Sequence, residues 1–235
     1  MLIALDTSTS WGSVAVFDGR RVLAELTWRS ERRSGDELFP MLERALSLAN
    51  TSLADIDRIA VAIGPGSFPG IRVAISAARG LARAGGAAVA GIPTLDVMAF
   101  PHGRSGAGVC ALLPAGREEW FVGYYKDGAR RSPFAVRTLA AIARELTEPT
   151  LVTGEFDVDA EAEIRDVLGE RADLAPPSLR VRRAGHLAEL GWTALSTRQG
   201  THIDALEPIY VKPPSVGGAA RAVRDAETLT AVRGT

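Results

Sequence analysis

Cysteine is almost absent from this 235-residue sequence, which has one, and histidine and methionine number three each. A single cysteine excludes a disulfide framework and a cysteine-based zinc site. Cys110 lies in the apolar segment Val-Cys-Ala-Leu-Leu and reads as a small core residue. His102, His186 and His202 have no histidine partner at i+3 or i+4, so they form no helical metal pair, and neither a metal nor a cofactor is expected. Charge of one sign is not in excess: 27 Lys and Arg face 28 Asp and Glu. No global field therefore draws the chain to nucleic acid or to an anionic membrane, and any RNA contact must be local or supplied by a partner. Long hydrophobic runs are missing too. None approaches the roughly 18 to 20 residues that span a bilayer, and the first six residues have no basic flank, so a cytoplasmic protein is expected.

What is present is 46% hydrophobic residues, enough to bury a core in one large domain or two small ones. Residues 2–5, 13–17 and 21–28 read as a three-stranded meander with Asp18-Gly19 as a hairpin turn. Leu38, Met41, Leu42, Ala45, Leu46 and Ala49 then recur at helical spacing, behind Ser34-Gly35-Asp36-Glu37, which fits a capping box. Pro40 predicts a kink or a late start in that helix. Residues 56–63 read as a strand covered on both faces. Ile71, Ala74, Ile75, Ala78 and Ala82 mark a second helix that stops at Gly85-Gly86. A strand over 87–92 and a short helix with Thr94 as its N-cap complete a βββαβαβα order. Residues 101–108 have linker composition. A second unit follows, with strands over 109–113, 120–125 and 150–153 and helices over 138–146, 159–168 and 182–197; residues 208–211 are extended. The expected division is 1–103, 104–214 with its last helix packing back on the first unit, and a tail from Ser215 with little to bury.

Two loops invite a search for phosphate chemistry. Gly64-Pro65-Gly66-Ser67-Phe68-Pro69-Gly70-Ile71-Arg72 joins a strand to a helix, where backbone N–H groups can hold an anion. It lacks the Walker spacing, and Pro65 and Pro69 each remove a donor, so a strand-to-helix turn accounts for it better. Asp6-Thr7-Ser8-Thr9-Ser10 ends the first strand. Either Asp6 holds Mg²⁺ through water and the hydroxyls meet phosphate, or the segment is an Asx or Ser/Thr turn. Ser67 has no nucleophile signature around it.

These residues carry a resemblance. LIALDTSTSWGSVAVF, GPGSFPGIRVAISAARGLA, GIPTLDVMA and EPIYV resemble the four signature segments of the TsaB (YeaZ) family, from Met1 to about Lys212. The chain departs from the family pattern at Ser34, at Pro69 and over 114–121. The resemblance implies an α/β, actin-like and Hsp70-like fold of two ribonuclease H-like subdomains. It also implies a non-catalytic subunit that pairs with a TsaD homologue, with a TsaE-type ATPase in a ternary complex, for threonylcarbamoyl transfer to adenosine 37 of tRNA. On that reading Leu38, Phe39, Met41, Leu42, Ala45, Ile71, Ile75 and Ala78 form the partner-binding seam. Asp6, Thr7, Ser8, Gly64, Gly66, Ser67 and Gly70 are then relics of phosphate loops. The alternatives are an independent nucleotide-dependent enzyme of the same fold, kinase-like or peptidase-like, and a self-associating homodimer.

Overall fold

A computed structural model describes residues 1–30, 34–103, 106–197 and 200–211. The expected tail from Ser215, and residues 104 and 105 of the expected linker, lie outside these. β1 (Leu2–Asp6), β2 (Trp11–Phe17) and β3 (Val22–Arg29) form the antiparallel meander. Its hairpin turn closes because Asp18 Oδ1 accepts from the backbone N–H of Arg20 and Arg21, which also lowers the Asp18 pKa. Then come α1 (Ser34–Leu48), β4 (Arg58–Ala62), α2 (Phe68–Gly85), β5 (Ala88–Ile92) and α3 (Thr94–Ala99), in the expected order.

The second half repeats the plan with β6 (Gly108–Gly116), β7 (Glu119–Lys126), β8 (Ala129–Arg130), β9 (Ala135–Thr138), α4 (Leu139–Glu145), β10 (Thr150–Gly154), α5 (Val158–Leu168) and β11 (Ala172–Leu174). α6 (Pro177–Arg180) and α7 (Ala184–Ser196) follow. The first sheet runs β3-β2-β1-β4-β5 and the second β11-β10-β6-β7-β8, with β9 also on β7. In each sheet the first strand pairs antiparallel with the second and parallel with the strand that follows α1 or α4, β4 or β10, so the two halves share this core topology.

Each sheet is covered on both faces. Ile3 and Leu5 of β1 point into a core shared with α1 and α2, while Leu2 and Ala4 meet Leu187 and Ala188 of α7. In the second sheet Cys110 and Leu112 face α4 and α5, and Val109, Ala111 and Leu113 face Leu95 and Met98 of α3. The halves thus exchange helices: α3 covers the second sheet and α7 the first. Close approach of α7 needs Gly191, where a Cβ would lie 2.3 Å from that of Ala60 on β4.

Two local expectations are corrected. Ser34 opens α1 as a helical residue, so the helix starts early with Pro40 inside it. The Glu37 carboxylate accepts from Trp28 Nε1 at 3.0 Å and Ser30 Oγ at 2.6 Å, tying α1 to the end of β3. Thr94 is the first residue of α3 and not its N-cap, because its hydroxyl accepts from Gly64 N instead. Residues 208–211 join no strand, although Ile209 N donates to Ile63 O.

Candidate functional site

The two loops singled out in the sequence fold into one knot at the ends of β1 and β4. Ser67 N donates to Ser8 O at 2.6 Å, and Thr7 Oγ1 donates to Gly70 O at 2.6 Å. Gly66 has φ +156°, and a Cβ there would lie 2.1 Å from Ser8 O; at Gly70 it would lie 1.9 Å from Thr7 O. These glycines therefore admit the neighbouring turn. Gly64 N donates to Thr94 Oγ1 and Gly64 O accepts from Thr94 N, which closes the other side. Ser67 caps α2, its hydroxyl accepting from Gly70 N, with Pro69 in the first turn where a missing N–H does no harm.

Asp6 is fully buried at the end of β1. Its Oδ1 accepts from Ser8 N at 2.8 Å and Ser8 Oγ at 2.6 Å, so the Asx turn of the two readings is the one formed. The remaining oxygen valence is taken by Arg182, whose Nε donates to Oδ2 and Nη2 to Oδ1. Nη2 also donates to Thr9 Oγ1 and Trp11 O, and Nη1 to Glu155, which follows β10. The Arg182 side chain is 1% exposed. Burial alone would lower its pKa, but the Asp6 and Glu155 carboxylates outweigh that and raise it. Burial is also the main cause of a raised Glu155 pKa, against the opposing pull of Arg182. Arg182 and Glu155 escaped sequence reasoning. Arg182 is 176 residues from Asp6, and an arginine in a polar stretch before a helix carries no local sign of such a bond.

The seam expected on α1 and α2 is corrected in part. Leu38, Leu42, Ala45, Ile71, Ile75 and Ala78 are all inside the chain's own core. The stripe cannot also be an exposed surface, because the first sheet needs it as cover. Met41 is half-buried against that core, and Phe39 is 47% exposed. The outward row of α2 is instead Arg72, Ser76, Gly80 and Ala84, spaced one turn apart and exposed. Beyond its own helix backbone, no atom of the described residues lies within 4 Å of where a Gly80 Cβ would be. At the N-terminal end of the helix, Phe68 packs on Tyr210 at 5.6 Å, with the Arg72 guanidinium over the Phe68 ring.

Residues 22–167 match the family model described as TsaD, tRNA N6-adenosine threonylcarbamoyltransferase. The tRNA threonylcarbamoyladenosine biosynthesis protein TsaB of Bacillus subtilis is 23% identical over 219 residues, 90% of this chain and 93% of that one. YeaZ from Pseudomonas aeruginosa superposes with a TM-score of 0.76 at 29% identity, over 89% of this chain and 98% of that one. The chain belongs to the TsaB (YeaZ) family. TsaB of Escherichia coli is 37% identical over 98 residues, a match that spans 42% of each chain. The family's fold extends to actin-like proteins: ROK hexokinase from Thermus thermophilus superposes with a TM-score of 0.50 at 12% identity, over 83% of this chain and 99% of that one. The likeness to hexokinase concerns the fold alone.

Proposed function

We propose that the chain works in the biosynthesis of threonylcarbamoyladenosine in tRNA as a non-catalytic subunit, pairing with a TsaD homologue and, in a ternary complex, with a TsaE-type ATPase. The names carried by its relatives support the pathway. The observation that carries the non-catalytic reading is that the knot's groups are already used: Asp6 is bonded to Arg182 and Ser8, and Gly66 and Gly70 are filled by backbone. tRNA then reaches the chain only through the complex. The proposed contact is the outward face of α1 and α2, with Phe39, Arg72, Ser76, Gly80 and Ala84, while the buried stripe behind it shapes that face. A glycine inside an exposed helix costs about 1 kcal/mol relative to alanine. Among the described residues none outside its own helix crowds the Gly80 position, and close approach of a partner helix supplies a reason for the glycine.

The test is reconstitution with the TsaD and TsaE homologues of the same organism. The chain alone should form no threonylcarbamoyladenosine, hydrolyse no ATP and cleave no peptide, and product should require all three proteins. Turnover by the purified chain that Asp6→Asn abolishes would establish the enzymatic alternative. A homodimer that persists when the TsaD homologue is added would establish self-association.

A further inference from the structure

Asp6, Glu155 and Arg182 belong to different layers of the molecule. Asp6 ends β1 at the centre of the first sheet, and Glu155 follows β10 of the second. Arg182 lies in the connection from α6, beside the second sheet, to α7, which lies on the first. Its guanidinium grips Asp6 through two nitrogens, reaches Thr9 and Trp11 with one of them, and turns its third nitrogen to Glu155. Glu155 borders a cleft of about 530 Å³ between the two halves, lined also by Trp11, Arg29, Phe156, Pro177 and Arg180.

We propose that Arg182 is a built-in cation latch that holds the two halves of the molecule closed, binding Asp6 of the first and Glu155 of the second in the place of a ligand-borne cation. Opening the cleft would part the guanidinium from one carboxylate and leave charge in a site built to exclude water, so the closed form is strongly favoured. The bidentate fork on Asp6 also fixes the direction in which Nη1 points, which a lysine ammonium could not do. The consequence is a subunit whose halves keep one relative position with no nucleotide bound. This inference does not depend on the proposed partner.

The latch is tested by placing spin labels on cysteines introduced at Ser47 of α1 and Glu163 of α5, both exposed. Cys110 stays in place, being fully buried with its thiol pKa raised by that burial. The native chain should give one narrow distance distribution that ATP with Mg²⁺ does not change. Arg182→Met should broaden it and speed amide exchange over residues 7–11 by at least about tenfold. Glu155→Ala opens onto the cleft, so it should fold; it should broaden the distance while residues 7–9 stay protected, because Arg182 still holds Asp6. That pattern separates a latch from a role confined to the Asp6 turn. A folded Glu155→Ala variant with the native narrow distribution overturns the proposal, whether or not Arg182→Met folds. So does a folded Arg182→Met variant with that distribution, or a native distribution that ATP and Mg²⁺ shift.

Discussion

Glycine 70 illustrates how one residue type serves two purposes in this chain. Its missing Cβ is the space taken by the Thr7 carbonyl, so Gly70→Ala must push two loops apart. We expect a loss of about 3 kcal/mol, read as a fall in melting temperature of about 6 to 12 °C for a chain of this size. Gly80 sits in open space on the same helix. Gly80→Ala should stabilise the isolated chain by about 0.5 to 1 kcal/mol, since only backbone entropy and helix propensity change. The same variant should weaken association with the TsaD homologue in a pull-down or by calorimetry, and unchanged affinity would remove Gly80 from the interface. On the proposed reading, a glycine that costs the free chain stability without easing its own packing marks a surface used by a partner.

At the scale of elements, α1 and α2 divide their faces between core and solvent. Ala78 is fully buried between α2 and its sheet, so Ala78→Glu strands a carboxylate in the core and should leave no cooperative unfolding transition by circular dichroism. Phe39→Asp changes an exposed side chain and should leave the melting temperature within about 2 °C of native, as surface substitutions do. It should nevertheless lower affinity for the TsaD homologue at least about tenfold if Phe39 is an anchor of the contact. Normal binding by Phe39→Asp would move the interface off α1. Helical periodicity identified the buried stripe of both helices, since only one face can carry spacings of three and four residues. It could not say whether the sheet or a second protein covers that stripe. The extent of sheet area to be covered decides this, and it depends on strand pairings such as β1 with β4, which are made by residues more than fifty positions apart.

At the scale of the whole molecule, the exchange of α3 and α7 between the halves places both remaining buried or half-buried histidines near the junction. His102 follows α3, and His186 lies in the first turn of α7, its ring tilted against that of Phe100. Burial lowers the pKa of each below the usual 6.5, and Arg183 lowers that of His186 further. The unfolded chain therefore binds more protons than the folded one between those depressed values and 6.5. Stability should rise with pH across that window and be lost as pH falls below about 6.5, because the imidazoles of the unfolded chain take up protons that the buried ones exclude. Urea midpoints between about pH 5 and 7.5 should show this slope, and a His102→Gln/His186→Gln variant should flatten it. A slope unchanged in that variant would mean that other groups carry the effect.

The sequence by itself determined the order of the longer elements, the hairpin and helix boundaries to within a few residues, and the conclusion that residues 64–70 turn a corner. Each of these rests on contacts between residues close along the chain, where spacing, proline and glycine restrict the backbone directly. The meander and the β4-α2-β5 unit were legible for that reason. Short β8, β9, β11 and α6 were not, because two to four residues carry too little pattern to distinguish from a loop. Tertiary structure alone decided what the loop glycines are for, which of two roles the Asp6 turn takes, and that Arg182 is the cation it meets. Those outcomes turn on which groups arrive in the same desolvated space, and a buried carboxylate accepts whichever cation the fold delivers. Here the fold delivers one from 176 residues away.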